Sequence, residues 1–137
     1  KVSFLGSGNS NTSYVLITRS AAGFDSLEKL RAASGVRIGT LSVGHEIYIL
    51  GRLFAWIMDL KQPRFVSGYS GPELSLAVTR GEVDGRVNTT GTILRRSPHW
   101  IKKKQANFHA VLEIPKGFRF SPHPIFNKPP GISTLDE

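Results

Sequence analysis

The sequence predicts a single α/β domain in which a mainly parallel sheet lies between two helical layers, a three-layer αβα arrangement. Two observations support this prediction. Apolar, β-branched runs alternate three times with helical patterns between residues 36 and 104. The chain has 137 residues, of which 39% are hydrophobic and 20% are charged, and this composition suits one packed core spanning residues 1–137.

The first third of the chain contains three predicted strands and one helix. Residues 2–5 form a short apolar run, and residues 14–18 are β-branched and apolar, which is typical of a buried strand. The pair Asp25-Ser26 offers an N-cap for a helix that we expect to end at Gly35. Residues 36–41 are again β-branched and apolar, and they predict the next buried strand.

The middle third alternates helix and strand. The strongest helical pattern covers residues 45–58, where large apolar side chains recur at helical spacing. These side chains are Ile47, Leu50, Phe54 and Ile57. A strand at residues 64–66, a short helix at 73–79 that Gly81 ends, and a strand at 83–87 are predicted to follow.

The last third begins with a helical stretch over residues 92–104 that Pro98 interrupts. Residues 108–114 are predicted to form the final strand. Residues 115–137 hold five of the eight prolines, and this composition predicts an extended Pro-rich tail.

The chain is strongly basic, with 18 Lys and Arg against 10 Asp and Glu and a formal net charge of +8. Such a balance suits nucleic acid, an anionic membrane surface or small anionic ligands. Basic residues occur along the whole chain, which weakens the first two interpretations. The densest run is Lys102-Lys103-Lys104, with Arg95 and Arg96 upstream and Trp100 beside it. We interpret this run as a solvated helix end rather than a stacking platform.

Several classes of site are excluded by the sequence. The absence of cysteine excludes a disulfide framework, a thiolate metal site and a cysteine nucleophile. No nucleophile elbow, P-loop or complete dinucleotide fingerprint is present, and His99, His109 and His123 lack metal-ligand spacing. We therefore predict no enzyme activity, no cofactor and no metal. No apolar run approaches the length of about 18 residues that a membrane-spanning helix needs.

Three polar turns follow predicted strands and form the predicted ligand site. These turns are residues 42–45, 67–71 and 88–91. In an open parallel sheet, ligands bind beyond the carboxyl ends of the strands, where helix N-termini offer free N–H groups to a carboxylate or phosphate. The alternative is ordinary capping and turn chemistry, for which Ser, Thr, Asn and Gly are common.

Residues 65–86 (FVSGYSGPELSLAVTRGEVDGR) resemble the extracytoplasmic solute receptors of tripartite tricarboxylate transporters, the TctC/Bug-like proteins. Those receptors carry a strand that ends in a (Pro/Gly)-Tyr-x-Gly turn, then a short helix and a Gly-Glu/Gln-Val-Asp strand. Residues 24–30, 37–45 and 108–114 agree with further family segments in the same order, as does the Pro-rich tail. The resemblance covers most of the chain.

The resemblance implies one lobe of a type II periplasmic-binding-protein-like fold, and specifically the second lobe, because the receptors are two-lobed and about twice this length. It also implies a periplasmic receptor that binds a small carboxylated ligand and passes it to membrane transporter subunits. No nucleic acid partner is expected, and an orphaned cleft face could promote self-association. The chain opens with lysine and shows no signal peptide, so we expect a processed product or an excised piece.

Carried over by position, the resemblance assigns ligand contacts to eight residues in the three turns. These are Ser42, Gly44, His45, Tyr69, Gly71, Asn88, Thr89 and Thr90. The first turn is shorter than in many members and carries a histidine, and Asn88 stands where many members have an acidic or aromatic residue.

Four residues have alternative roles that the sequence leaves open. Tyr69 could offer its hydroxyl to a ligand or pack its ring against a helix, and His45 could be a donor or a helix cap. Glu82 and Asp84 share one face of a predicted strand, which would suit acid–base work. We expect them instead to pair with the neighbouring Arg80 and Arg86.

Two other functions remain open beside the receptor. The first is a basic α/β domain that binds nucleic acid with strong salt dependence. The second is a folding unit with no activity in isolation.

Overall fold

The computed structural model describes residues 13–112, so the predicted strand at residues 2–5 and the tail at 115–137 lie outside the described residues. Within this range the strands are β1 (Tyr14–Arg19), β2 (Arg37–Gly39), β3 (Arg64–Val66), β4 (Gly85–Thr89) and β5 (Ala106–Leu112). The helices are α1 (Leu27–Ala32), α2 (Glu46–Ile57), α3 (Gly71–Arg80), α4 (Thr90–Arg96) and α5 (Pro98–Lys102).

The described strands form one sheet with the order β3-β2-β4-β1-β5. Strand β2 is parallel to both β3 and β4, whereas β1 is antiparallel to both β4 and β5. The α/β prediction is therefore confirmed, with four strands running in one direction and β1 running against them. The direction of β1 is not visible in its sequence, because Val15–Thr18 is buried on both faces and has the continuous apolar pattern of a parallel strand.

Helices cover both faces of the sheet. On one face, α1 and α2 pack against the sheet in a cluster that includes Leu16, Leu30, Phe54 and Val87. On the other face, α3, α4 and α5 pack in a cluster that includes Ile17, Leu74, Ile93 and Trp100. Neighbouring strand residues such as Leu16 and Ile17 point to opposite clusters, as the pleat requires, and the three-layer αβα arrangement follows.

Strand β4 lies two residues later than predicted. The strand begins at Gly85. Val83 is apolar because it is fully buried in the core, and the Asp84 N–H donates to the carbonyl of Arg37 at 2.8 Å. At its other end, Asn88 pairs with Val15 and Thr89 with Tyr14 of β1. The predicted polar turn at 88–91 is therefore wrong, because β1 offers backbone partners to both residues and α4 begins at once with Thr90.

The helix boundaries agree with two local signals. Gly81 ends α3 with a φ of 81°, a left-handed conformation that glycine adopts without strain. Pro98 begins α5 after a break at Ser97, which confirms the predicted interruption between α4 and α5.

Candidate functional site

The carboxyl ends of three parallel strands meet at one edge of the sheet. Strands β2, β3 and β4 run in the same direction, so the loops after Gly39 and Val66 and the start of α4 lie along this edge. A hydrogen bond of 2.9 Å between the hydroxyls of Thr40 and Ser67 ties the first two loops together. The topology thus brings the three predicted ligand segments to the same edge.

The helices that start at this edge are capped by the chain's own side chains. His45 Nδ1 accepts the Ile47 N–H at 3.2 Å at the start of α2, and Thr89 Oγ1 accepts the Thr92 N–H at 3.1 Å at the start of α4. At the start of α3, Glu73 Oε2 accepts the Ser70 N–H at 2.8 Å. These side chains already occupy donors that a bound anion would use, so His45 is a helix cap.

The remaining predicted residues are spread over the rim of this edge. Ser42 and Gly44 are exposed, and the Ser42 carbonyl accepts the His45 N–H in a turn. The ring of Tyr69 packs partly buried against the cluster under α3, and the Thr90 N–H donates to the Ser13 carbonyl at 3.0 Å. The cavity described next is not lined by Ser42, Gly44, His45, Tyr69 or Thr90.

A cavity of about 500 Å³ lies between α3 and the α4–α5 pair. Its floor is formed by β4, and its walls include Ser75 and Thr79 of α3, Thr92 and Arg96 of α4, and Trp100 of α5. Three of the predicted ligand residues line it: Gly71, Asn88 and Thr89. The cavity reaches the carboxyl edge at Glu46 and Ile47, so it is open where the loops converge.

Arg86 is the charged group at the floor of this cavity. It is 4% exposed, and its Nη1 donates to the Gly71 carbonyl at 3.1 Å and to Ser75 Oγ at 2.9 Å. Burial lowers the pKa of Arg86 to about 10, so the guanidinium is still charged at neutral pH. Its Nη2 has no hydrogen-bond partner among residues 13–112.

No carboxylate pairs with Arg86 in the described part of the chain. The predicted pairing of Asp84 with Arg86 is wrong, because Asp84 precedes β4 and binds Arg37, with 2.7 Å between Oδ1 and Nη2. Arg80 does approach Glu82, at 3.9 Å between exposed side chains. A buried cation without an anionic partner is costly, and such groups are typical of sites that bind an anion.

Asn88 lies beside Arg86 on the same face of β4, because residues two apart on a strand share a face. It is 6% exposed, and its Oδ1 accepts the Thr89 N–H at 2.9 Å. Its Nδ2 has no partner among residues 13–112 and is thus a second donor toward the cavity. The cavity therefore has a polar floor formed by Arg86 and Asn88, and its walls carry apolar and hydroxyl groups.

Sequence analysis missed Arg86 as a site residue, although a signal was present. Arg86 and Asn88 are polar residues two apart on a five-residue strand, and they alternate with Gly85 and Val87. Polar residues on one face of a strand buried on both faces indicate a polar pocket on that face. The signal was obscured because Asp84 and Glu82 offered apparent partners.

The other residues considered in the sequence have structural positions. Trp100 is 2% exposed and packs in the core, which excludes it as a stacking platform beside Lys102–Lys104. His109 Nε2 lies 2.7 Å from Thr18 Oγ1, and His99 is exposed at the cavity wall. Across the described part of the chain, no three His, Asp or Glu side chains come close enough to hold a metal.

None of the helices between residues 13 and 112 has both the length and the hydrophobicity of a bilayer-spanning helix. The longest of them, α2, has 12 residues.

No protein-family model matches this chain, and no curated protein matches it in sequence. Its fold is similar to solved structures of binding proteins. The periplasmic binding protein BugD matches with a TM-score of 0.60 and 11% identity, over 91% of this chain and 40% of that one. MatC from Rhodopseudomonas palustris, solved with bound malate, matches with a TM-score of 0.58 and 16% identity, over 74% of this chain and 34% of that one.

A second R. palustris protein, solved with adipate, matches with a TM-score of 0.60 and 12% identity, over 74% of this chain and 34% of that one. The chain thus spans less than half the length of these proteins. The described residues have the α/β fold of one lobe of a periplasmic binding protein.

Proposed function

We propose that this chain is a solute-binding lobe of a periplasmic receptor, and that it holds a carboxylate of a small ligand in the cavity between α3 and the α4–α5 pair. Arg86 is the observation that carries the proposal. It is a buried cation that lines a cavity of about 500 Å³ and lacks a carboxylate partner among residues 13–112.

The geometry of Arg86 suits a carboxylate better than a neutral ligand. Its Nη1 is fixed by the Gly71 carbonyl and Ser75, which orients the guanidinium and leaves the Nη2 donors for a ligand. The Asn88 amide lies on the same face and adds neutral donors. A carboxylate accepts several hydrogen bonds at once, and the bond to a charged guanidinium is about twice as strong as a neutral one.

The predicted turn residues have two roles in this proposal. Gly71, Asn88 and Thr89 line the cavity and would contact the ligand directly. Ser42, Gly44, His45, Tyr69 and Thr90 shape the rim of the same edge, where a larger ligand would extend.

The fold supports a receptor rather than an enzyme. The similar structures are binding proteins, and two of them were solved with the carboxylates malate and adipate. By analogy, the proposed location is the periplasm, and the proposed partners are the membrane subunits of a transporter. The carboxylate class is inferred from Arg86 together with those two bound ligands.

The proposal is tested by following backbone amide chemical shifts of the 137-residue chain during titration with paired ligands. Each pair contains an acid and its amide, such as acetate with acetamide and malate with malamide. We expect saturable shifts at Arg86, Asn88 and Thr89 with the acids and none with the amides. Weak affinity is expected, because the chain spans less than half of the similar receptors.

Two variants make the test specific. Asn88→Asp adds a negative charge beside Arg86 at almost unchanged volume, and it should abolish the shifts. Arg80→Gln removes an exposed arginine outside the cavity, and it should leave them unchanged. Equal shifts with acids and amides, or acid-dependent shifts that survive in Asn88→Asp, would contradict the proposal.

A further inference from the structure

The net positive charge of the described residues is concentrated in residues 85–112. Residues 13–84 contain eight Lys and Arg and seven Asp and Glu, so they are almost neutral. Residues 85–112 contain six Lys and Arg and no acidic residue. Apart from the buried Arg86, the other five lie on α4, α5 or the turn after α5. Basic residues thus occur along the whole described range, but acidic residues offset them only in residues 13–84.

The outer face of α4 and α5 carries apolar side chains among these cations. Leu94 is 63% exposed and Ile101 is 44% exposed, while Ile93, Ser97 and Trp100 point inward and are buried. Arg95, Lys102 and Lys103 are also exposed, and they follow Leu94 and Ile101 directly in the sequence. We name the set Leu94, Arg95, Ile101, Lys102 and Lys103 the α4–α5 surface.

We propose that the α4–α5 surface binds the face of an anionic lipid bilayer. Lysine and arginine near a bilayer are attracted by the negative potential of anionic headgroups, and each adds to the binding. Exposed aliphatic side chains gain by entering the boundary between headgroups and acyl chains, while the long lysine side chains keep their charges in the headgroup layer. The α4–α5 surface has both components and no acidic residue to oppose them.

A protein partner fits this composition less well. The centres of protein interfaces are enriched in aromatic residues and depleted in lysine. The α4–α5 surface exposes two lysines, one arginine and two aliphatic side chains, and the aromatic residue of α5, Trp100, is buried in the core.

Nucleic acid fits less well for a related reason. Single-stranded nucleic acid is bound by aromatic platforms, and the buried Trp100 cannot provide one. Duplex DNA would be held through its phosphates alone. Leu94 and Ile101 would then add nothing to the affinity, because they would stay exposed to water or contact the polar backbone.

The test is co-sedimentation of the 137-residue chain with vesicles at physiological salt. One set of vesicles is phosphatidylcholine, and the other is an equimolar mixture of phosphatidylcholine and phosphatidylglycerol. We expect binding to the mixed vesicles and background levels with phosphatidylcholine alone. Equal binding to both, or no binding to the mixed vesicles, would overturn the proposal. So would stronger binding to a short DNA duplex that displaces the chain from the vesicles.

Matched variants locate the binding surface. The triple variant Arg95→Gln, Lys102→Gln and Lys103→Gln should weaken vesicle binding at least about tenfold. The triple variant Lys29→Gln, Lys61→Gln and Arg64→Gln removes the same charge from exposed positions on α1, the loop after α2 and β3, and it should weaken binding far less. Equal losses in both triples would show that net charge alone is responsible and would overturn the assignment.

The apolar component is tested separately. The double variant Leu94→Ser and Ile101→Ser should weaken binding even at low salt, where electrostatic attraction is strongest. The control is Trp56→Ser, which removes a 79% exposed side chain from α2 on the opposite side of the sheet. Loss of binding in Trp56→Ser but not in the double variant would move the site away from α4 and α5. Thermal melting checks that all variants fold.

Discussion

Arg37 binds Asp84 through three hydrogen bonds, and this arrangement leaves Arg86 without a carboxylate. Nη2 of Arg37 lies 2.7 Å from Oδ1 of Asp84, while Nε and the backbone N–H donate to Oδ2 at 3.1 Å and 2.9 Å. The pair joins the start of β2 to the residue before β4 at the end of the sheet opposite the cavity. The Arg37–Asp84 ion pair is therefore separate from Arg86, the buried cation that lines the cavity.

The first prediction concerns the acid sensitivity of this pair. Burial raises the pKa of Asp84, but the hydrogen bonds from Arg37 outweigh burial and hold the pKa below its ordinary value. The stabilisation is thus complete above the unfolded pKa of about 4 and is lost as pH falls through the folded pKa. Asp84→Asn should lower the free energy of unfolding by about 2 kcal/mol at neutral pH and by much less near pH 2.

Urea unfolding at both pH values measures this effect. Asp25→Asn is the control, because it removes an equally short ion pair, with Lys29, whose side chains are about 60% exposed. That change should cost less than about 1 kcal/mol. If Asp84→Asn lowers the free energy of unfolding by the same amount at pH 2 as at neutral pH, protonation of Asp84 does not account for the loss of stability in acid.

The second prediction is a conflict between stability and binding at Arg86. Because burial of its charge is not offset by a carboxylate, Arg86→Met should leave the free energy of unfolding unchanged or raise it by about 1 kcal/mol. The same change should abolish the carboxylate-dependent amide shifts. Arg37→Met provides the contrast, since it strands Asp84 and should destabilise the chain by about 2 kcal/mol.

Equilibrium unfolding in urea, with and without a carboxylate, checks this prediction. Destabilisation of Arg86→Met by more than about 2 kcal/mol would mean that the bonds from Nη1 to the Gly71 carbonyl and Ser75 outweigh the cost of burial.

Much of the fold could be predicted because local signals and burial agreed. Three local signals each predict a helix or a helix boundary. They are the helical spacing of apolar residues in α2, the break at Pro98 and the left-handed conformation of Gly81. The direction of β1 could not be predicted, because a strand buried on both faces has the same pattern whether its neighbours are parallel or antiparallel.

The cavity reaches the edge of the sheet where the sequence predicts a ligand site, but the predicted set of side chains does not include Arg86. Turn residues such as His45 and Thr89 have the composition of ligand loops, yet the same polar atoms cap helices, and sequence does not separate these uses. Arg86 was missed because Asp84, two residues before it, is an apparent carboxylate partner in the sequence. In the structure β4 begins at Gly85, two residues later than predicted, so Asp84 precedes the strand and binds Arg37 instead.

The third prediction concerns the close contact between β1 and β4. A Cβ atom at Gly85 would overlap the Ile17 carbonyl oxygen and the Thr18 side chain, and neither can move without disturbing the sheet. Gly85→Ala should therefore lower the free energy of unfolding by about 3 kcal/mol. Gly91→Ala is the control, because a Cβ at this helical position meets nothing within 4 Å. It should be neutral or stabilise by up to about 1 kcal/mol. Equal effects of the two changes in urea unfolding would contradict the contact.

The fourth prediction places a second acid-sensitive group between β1 and β5. His109 Nε2 lies 2.7 Å from the buried Thr18 hydroxyl, and burial lowers the pKa of His109 below its ordinary value. A lowered pKa means that the folded state prefers neutral histidine. Stability is therefore complete above the unfolded pKa of about 6.5 and decreases as pH falls below it.

This window is separate from that of Asp84, which titrates at lower pH. Between about pH 7 and pH 5, the midpoint of thermal unfolding should fall by a few degrees more in the native chain than in His109→Gln, whose amide can still bond to Thr18 without titrating. His99→Gln is the control, since His99 is exposed, and its melting temperature should follow that of the native chain at each pH. If the melting temperature of His109→Gln instead falls as much as that of the native chain, protonation of His109 is not coupled to unfolding, and the loss of stability in acid has another origin.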